Sequence, residues 1–151
     1  MMINTTLCYI EKDDKYLMLF RNKKKNDINE GKWIGIGGKF EKRESADECL
    51  LREVKEETGL TLTSYCMRGL IHFRTDEGND EEMYLYTADR FEGEMHPCNE
   101  GELAWIDKDK VFDLNLWEGD RVFLDKLIKG DSGFEITLEY SGDKLVKVGE
   151  E

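Results

Sequence analysis

The chain has 151 residues, 39% hydrophobic and 37% charged, with a single proline, which excludes disordered, collagenous and low-complexity classes and points to one domain over residues 1–151. Its 22 basic and 34 acidic side chains sum to −12, a field that repels phosphate backbones at long range and argues against general duplex nucleic-acid binding. No apolar run reaches the roughly 18 residues of a membrane span, and the opening Met1-Met2-Ile3-Asn4 lacks a signal-peptide layout, so a cytoplasmic protein without a membrane partner is expected.

Along the chain, Thr5, Leu7 and Tyr9 alternate with Thr6, Cys8 and Ile10. A turn at residues 13–15 and an apolar return at 16–20 complete a predicted hairpin. Residues 21–31 read as a basic-rich loop, and 33–38 as one strand that alternates apolar residues with glycine. Residues 45–58 form the best helix, opened by a Ser45/Glu48 capping box and closed at Gly59. Strands over 60–73 and 83–91 flank a predicted acidic loop at 75–82. A short strand over 103–106 precedes a helical turn at 107–112. The second helix, 118–129, carries Phe123, Leu124, Leu127 and Ile128 on one face, and 134–148 reads as a closing hairpin turned at 141–143. Without strict βαβ alternation, this order favours an α/β sandwich over a doubly wound parallel sheet. Cys8, Cys49, Cys66 and Cys98 lack metal-ligand spacing and read as reduced, buried thiols. Trp33 and Trp105 read as core, and His72 and His96 as isolated polar residues without a catalytic role.

The first helix carries an anomaly. At about 100° per residue, Ala46, Leu50, Glu53 and Glu57 share a narrow sector, so two glutamates stand where a core stripe belongs. Like charges at i,i+4 repel even when exposed, and burial amplifies the cost unless a cation enters. Two readings follow: a solvated acidic face, which the Glu48–Arg52–Glu56 ladder resembles, or a hard-oxygen site for Mg²⁺ or Mn²⁺.

From Gly38 the chain fits G-x5-E-x7-R-E-U-x-E-E-x-G-U (U aliphatic), with Gly38, Glu44, Arg52, Glu53, Glu56, Glu57 and Gly59 at the fixed places and Val54 and Leu60 at the aliphatic ones. In this it resembles the Nudix hydrolases, and the likeness extends over nearly the whole chain. It implies an α/β (α+β) fold, an α/β/α sandwich with a mixed, mostly antiparallel sheet between helices. By resemblance, Glu53, Glu56 and Glu57 bind Mg²⁺ or Mn²⁺ with the Gly37 carbonyl, and Arg52 holds the glutamates in position. Glu44 is implied as a supporting carboxylate, and Glu100 as a further metal-binding glutamate, its alternative being a plain turn acid.

The segment 31–39 looks most like the MutT-type branch that hydrolyses oxidised purine nucleoside triphosphates such as 8-oxo-dGTP. That resemblance implies a small-molecule nucleotide substrate, monophosphate and pyrophosphate as products, a role in clearing damaged nucleotides ahead of DNA synthesis, and a monomer or homodimer. Arg21 and Lys39 are placed to contact phosphates, while Lys23 adds positive charge and Lys24 and Lys25 read as a solvated loop. Trp117 and Asp120 resemble a base-stacking tryptophan and a base-pairing aspartate; the alternatives are a hydrophobic staple and a first-turn dipole partner. Gly119 and Ile34 depart from that branch, which bears on the identity of the base. ADP-sugars and dinucleoside polyphosphates are the alternative substrates, and a non-catalytic nucleotide-binding module the alternative class.

Overall fold

The structure, a computed structural model, describes residues 2–150. Its elements are β1 (Met2–Lys12), β2 (Lys15–Arg21), β3 (Trp33–Ile34), β4 (Ile36–Lys39), α1 (Ala46–Thr58), β5 (Thr61–Thr75), β6 (Asp80–Glu92), β7 (Gly101–Asp107), a 3₁₀ helix (Lys108–Asp113), α2 (Glu118–Ile128), β8 (Phe134–Ser141) and β9 (Lys144–Glu150). All nine strands join one sheet in the order β3-β2-β1-β6-β5-β8-β9, with β4 on β1 and β7 on β2. The β1–β6 and β5–β8 pairs are parallel and the remaining pairs antiparallel, giving the expected mixed, mostly antiparallel sheet.

Strand alternation divides the apolar residues between two faces. Leu7, Tyr9, Ile71, Met83, Leu85 and Ile136 pack with Phe123, Leu124 and Leu127 of α2. Cys8, Ile10, Leu17, Leu19 and Ile36 pack with Leu50 and Val54 of α1. Each fully buried side chain of this kind contributes about 1.5–3 kcal/mol, so both helices are held by packing more than by propensity. The α1 termini form as the sequence indicates. Ser45 accepts from the Glu48 N–H while Glu48 accepts from the Ser45 N–H, and Gly59 closes the helix at φ 84°. Among the described residues, no helix is long and apolar enough to cross a membrane.

Several expectations are corrected. The single strand over 33–38 is two strands broken at Gly35, where an added Cβ would lie 2.9 Å from the Cys8 carbonyl oxygen and 3.1 Å from the Tyr9 ring. The chain passes too close to β1 there for any side chain. The acidic loop shrinks to residues 76–79, because Arg74 binds Glu82 at 3.0 Å and approaches Asp80 at 3.9 Å, so β6 begins at Asp80. Ile128 lies off the α2 core stripe and is 39% exposed. Cys66 is exposed, whereas the other three thiols are free and buried. His72 is not isolated: Glu82 and Glu135 flank its ring nitrogens and together draw its proton affinity up against the opposing effect of burial.

Candidate active site

The inward carboxylates of α1 are carried by an element whose position the core dictates. Leu50 and Val54 seat α1 on the sheet, which turns Glu53 and Glu57 inward beneath β4. Glu57 is only 7% exposed and accepts the Gly37 N–H at 3.1 Å. Glu53 lies directly under Gly38, where an added Cβ would meet its carboxylate at 2.6 Å.

Arg52 supplies the framework. Its guanidinium donates to Glu44 at 2.6 and 2.9 Å, to Glu53 at 2.9 Å, to Glu56 at 3.1 Å and to the Lys39 carbonyl at 3.0 Å. The Arg52 hydrogen bonds hold Glu44 down at about 2, so it is a permanent anion bracing the loop before α1. Arg52 thereby joins Gly38's neighbour, the Glu44 loop and two glutamates of α1 in one rigid fork.

Glu100 enters from the turn before β7. Its carboxylate lies 3.3 Å from Arg21 Nη1 and 3.4 Å from Lys24 Nζ, and it hydrogen-bonds Glu57. Burial, the Glu100 contact and the Glu53 charge push Glu57 up to about 9. Burial acts upward on Glu100 too, but the Glu57 proton with Arg21 and Lys24 outweighs it, and Glu100 is held low. Two carboxyl groups this close do not both carry full charge unless a proton or a cation lies with them.

These donors fit a small hard cation. They are all oxygens, the buried Glu57 touches the partly exposed Glu100, and the Gly37–Gly38 backbone has no side chain in the way. Among the described residues, no three His, Cys, Asp or Glu side chains stand close enough together to hold a metal ion by themselves. Magnesium is held by one or two carboxylates with waters and substrate phosphates, so an open set of this kind suits it.

The structure engages Arg21 otherwise than the sequence suggested. Its Nε donates to Asp27 at 2.7 Å, with both side chains at most 8% exposed, and its Nη1 faces Glu100. It holds Glu100 rather than standing free for a phosphate. Lys24, read as solvated, contacts Glu100 as well, while Lys25 is exposed and Lys39 projects from the end of β4. Asp27 escaped the sequence reading; its only local signal is the turn in which it accepts the Asn29 N–H at 3.1 Å. Removing the cation of this pair strands a buried carboxylate. Arg21→Met is expected to cost about 3–5 kcal/mol in urea unfolding, and Arg21→Met with Asp27→Leu to recover most of it.

A second cluster lies on the α2 face. Trp117 is the N-cap residue of α2, its Nε1 donating to Asn29 at 2.8 Å, its ring edge-on to Tyr140 and Lys32 Nζ 5.0 Å from its centroid. Asp120 is 6% exposed, and among the described residues nothing hydrogen-bonds its carboxyl group. Burial, with Glu81 as a like charge and Lys32 opposing, pushes it up to about 7. Asp120 stands in the first turn of α2, where the helix N-terminus favours its charge and burial opposes it. A side chain at Gly119 would have to displace the Tyr140 hydroxyl, 2.7 Å from the Cβ position, and Leu138 at 2.8 Å, and Ile34 packs with the α1-side cluster.

Known proteins resemble this chain in sequence and fold. The NUDIX domain family profile matches residues 2–127. The chain is 30% identical over 141 residues to Nudix hydrolase YvcI of Bacillus subtilis (strain 168), covering 90% of this chain and 85% of that protein. It is 34% identical over 98 residues to the oxidized purine nucleoside triphosphate hydrolase of Danio rerio, covering 64% and 63% of the two chains. The crystal structure of a MutT protein from Bacillus halodurans superposes with a TM-score of 0.88 at 29% identity, covering 99% of this chain and 97% of that one.

Proposed function

The chain belongs to the Nudix hydrolase family, and from that premise we propose that it cleaves the diphosphate linkage of nucleoside triphosphates, oxidised purine deoxynucleotides such as 8-oxo-dGTP foremost, releasing the monophosphate and pyrophosphate. The observation that carries the choice of substrate is Asp120, a carboxyl group only 6% exposed that takes no hydrogen bond from the described residues, three residues along α2 from Trp117. Such a group costs stability unless a ligand brings it an N–H, and a purine edge does so. The resemblance to an oxidised purine triphosphatase supports the same reading.

Glu53, Glu56, Glu57 and Glu100, with the Gly37 carbonyl, would hold Mg²⁺ or Mn²⁺. When bound, the cation offsets charge on the phosphate oxygens and acidifies the attacking water. The protein's own residues do the rest. Arg52 fixes Glu53 and Glu56, and Arg21 fixes Glu100, so the carboxylates keep their geometry as charge shifts. The side-chain-free Gly37–Gly38 backbone lets the polyphosphate approach, and Lys39 adds positive charge to an acidic surface. The water oxygen bonds phosphorus, the anhydride P–O bond breaks, pyrophosphate departs with the bond electrons, and a carboxylate of the cluster takes the water's proton.

The test is a panel of oxidised and unmodified nucleotides, ADP-sugars and dinucleoside polyphosphates with Mg²⁺, measuring pyrophosphate and orthophosphate separately. The expected result is pyrophosphate, with kcat/KM for 8-oxo-dGTP above that for its competitors; a best substrate among the ADP-sugars contradicts the reading. Asp120→Asn is expected to lower kcat/KM for the best nucleotide about 10- to 100-fold, the scale of one hydrogen bond to a charged or strongly polar group, while raising thermal stability above pH 4.

A further inference from the structure

Strand alternation places Glu81 in line with Met83 and Leu85, both of which pack in the α2-side cluster, so Glu81 continues that row toward the sheet's open end. On the neighbouring strand Thr5 continues the row of Leu7 and Tyr9, and its hydroxyl donates to Glu81 Oε2 at 2.6 Å. Phe73 lies opposite Glu81 across the β5–β6 pair, and Lys39 lies opposite Thr5 across β1–β4. Asp120, in the first turn of α2, covers the same face, and Glu81 acts on it as a like charge. Glu81 is held up by burial, with the Thr5 hydrogen bond and Lys39 opposing. Thr5 satisfies one oxygen of Glu81; the other and both oxygens of Asp120 take no hydrogen bond from the described residues and are open to solvent, the fully buried unpaired side-chain atoms there being the Tyr9 and Tyr16 hydroxyls.

Two carboxyl groups thus stand on one largely apolar face with acceptor oxygens that no protein donor of the described residues occupies. A ligand that brings adjacent N–H groups satisfies them. Building on the reading that this face receives the base, we propose that Glu81 is a specificity-determining residue which, together with Asp120, selects bases presenting a ring N–H beside an exocyclic amino group, as the guanine edge does. Phe73 and Trp117 supply flanking aromatic surface.

The test compares dGTP with dITP, which differ only in the 2-amino group, and repeats the comparison with their 8-oxo forms. The wild-type enzyme is expected to favour the amino-bearing nucleotide by about 10- to 100-fold in kcat/KM. Glu81→Met is expected to bring that preference to within about threefold, a change of ratio that a general loss of stability does not produce. Glu81→Gln, which keeps an acceptor for Thr5, serves the same purpose if the methionine variant does not fold. An unchanged dGTP/dITP ratio in the Glu81 variants, with the ratio lost in Asp120→Asn, overturns the role of Glu81 and leaves the base-pocket reading intact. Equal turnover of every base by the wild-type enzyme overturns both.

Discussion

Glu57→Gln is expected to lower kcat by about 10³-fold, roughly 4 kcal/mol of barrier, while the metal-free fold becomes more stable. Glutamine retains an oxygen for the Gly37 N–H and an amide to donate to Glu100, so the backbone contact survives. What it removes is the charge that a cation needs. The opposite signs of the activity and stability effects distinguish this residue from an ordinary buried polar group. Steady-state kinetics and thermal unfolding in chelator, on the same preparations, check both.

The pH dependence follows with a definite sign. Glu57 titrates at about 9 in the fold against an ordinary 4.5, so the folded state holds the extra proton between those values. Its contribution to stability is therefore full below pH 4.5 and is lost as pH rises through 9. The metal-free wild type should lose stability over that window, and Glu57→Gln should lose less. A divalent cation must displace the shared proton, so its affinity should rise with pH across the same window.

Gly38→Ala is expected to reduce kcat about 10²-fold or more with little loss of stability. Its Cβ would stand 2.6 Å from the Glu53 carboxylate, and the end of a flexible side chain is free to swing aside. Glu53 then leaves both its Arg52 contact and its place beneath β4. Gly37→Ala makes the informative contrast. There the Cβ would stand 1.9 Å from the Thr6 carbonyl oxygen, which is backbone inside the sheet and cannot yield. Loss of fold in Gly37→Ala beside a folded, inactive Gly38→Ala would separate the two glycines; wild-type turnover in Gly38→Ala would exclude Glu53 from the chemistry.

The parts that could be read in the sequence are those whose physics is local. Ser45, Glu48 and Gly59 mark the ends of α1 within a few residues of themselves, and the 3.6-residue period places Glu53 and Glu57 together without tertiary knowledge. The hairpins follow from period-2 alternation around short polar turns. What escaped depends on distant encounters. The bond between Arg21 and Glu100 joins residues from β2 and from the turn before β7, and Asp27 gains its importance only because that ion pair is buried. Gly35 breaks a strand because β1 passes beneath it. Glu81 looked like one more charge in an acidic loop, and only its pairing opposite Phe73 reveals that it faces the core side of the sheet. His72 likewise gained its acidic partners from a neighbouring strand and from a parallel one.

The inward stripe of α1 is explained here by a divalent ion that takes the place of a shared proton. Calorimetric titration of Mn²⁺ into the wild-type protein at pH 7, in buffers of different ionisation enthalpy, measures both events at once. Saturable binding with release of about one proton, lost in Glu57→Gln, is the predicted result. Binding that releases no proton, or that proceeds equally well in the variant, would contradict it.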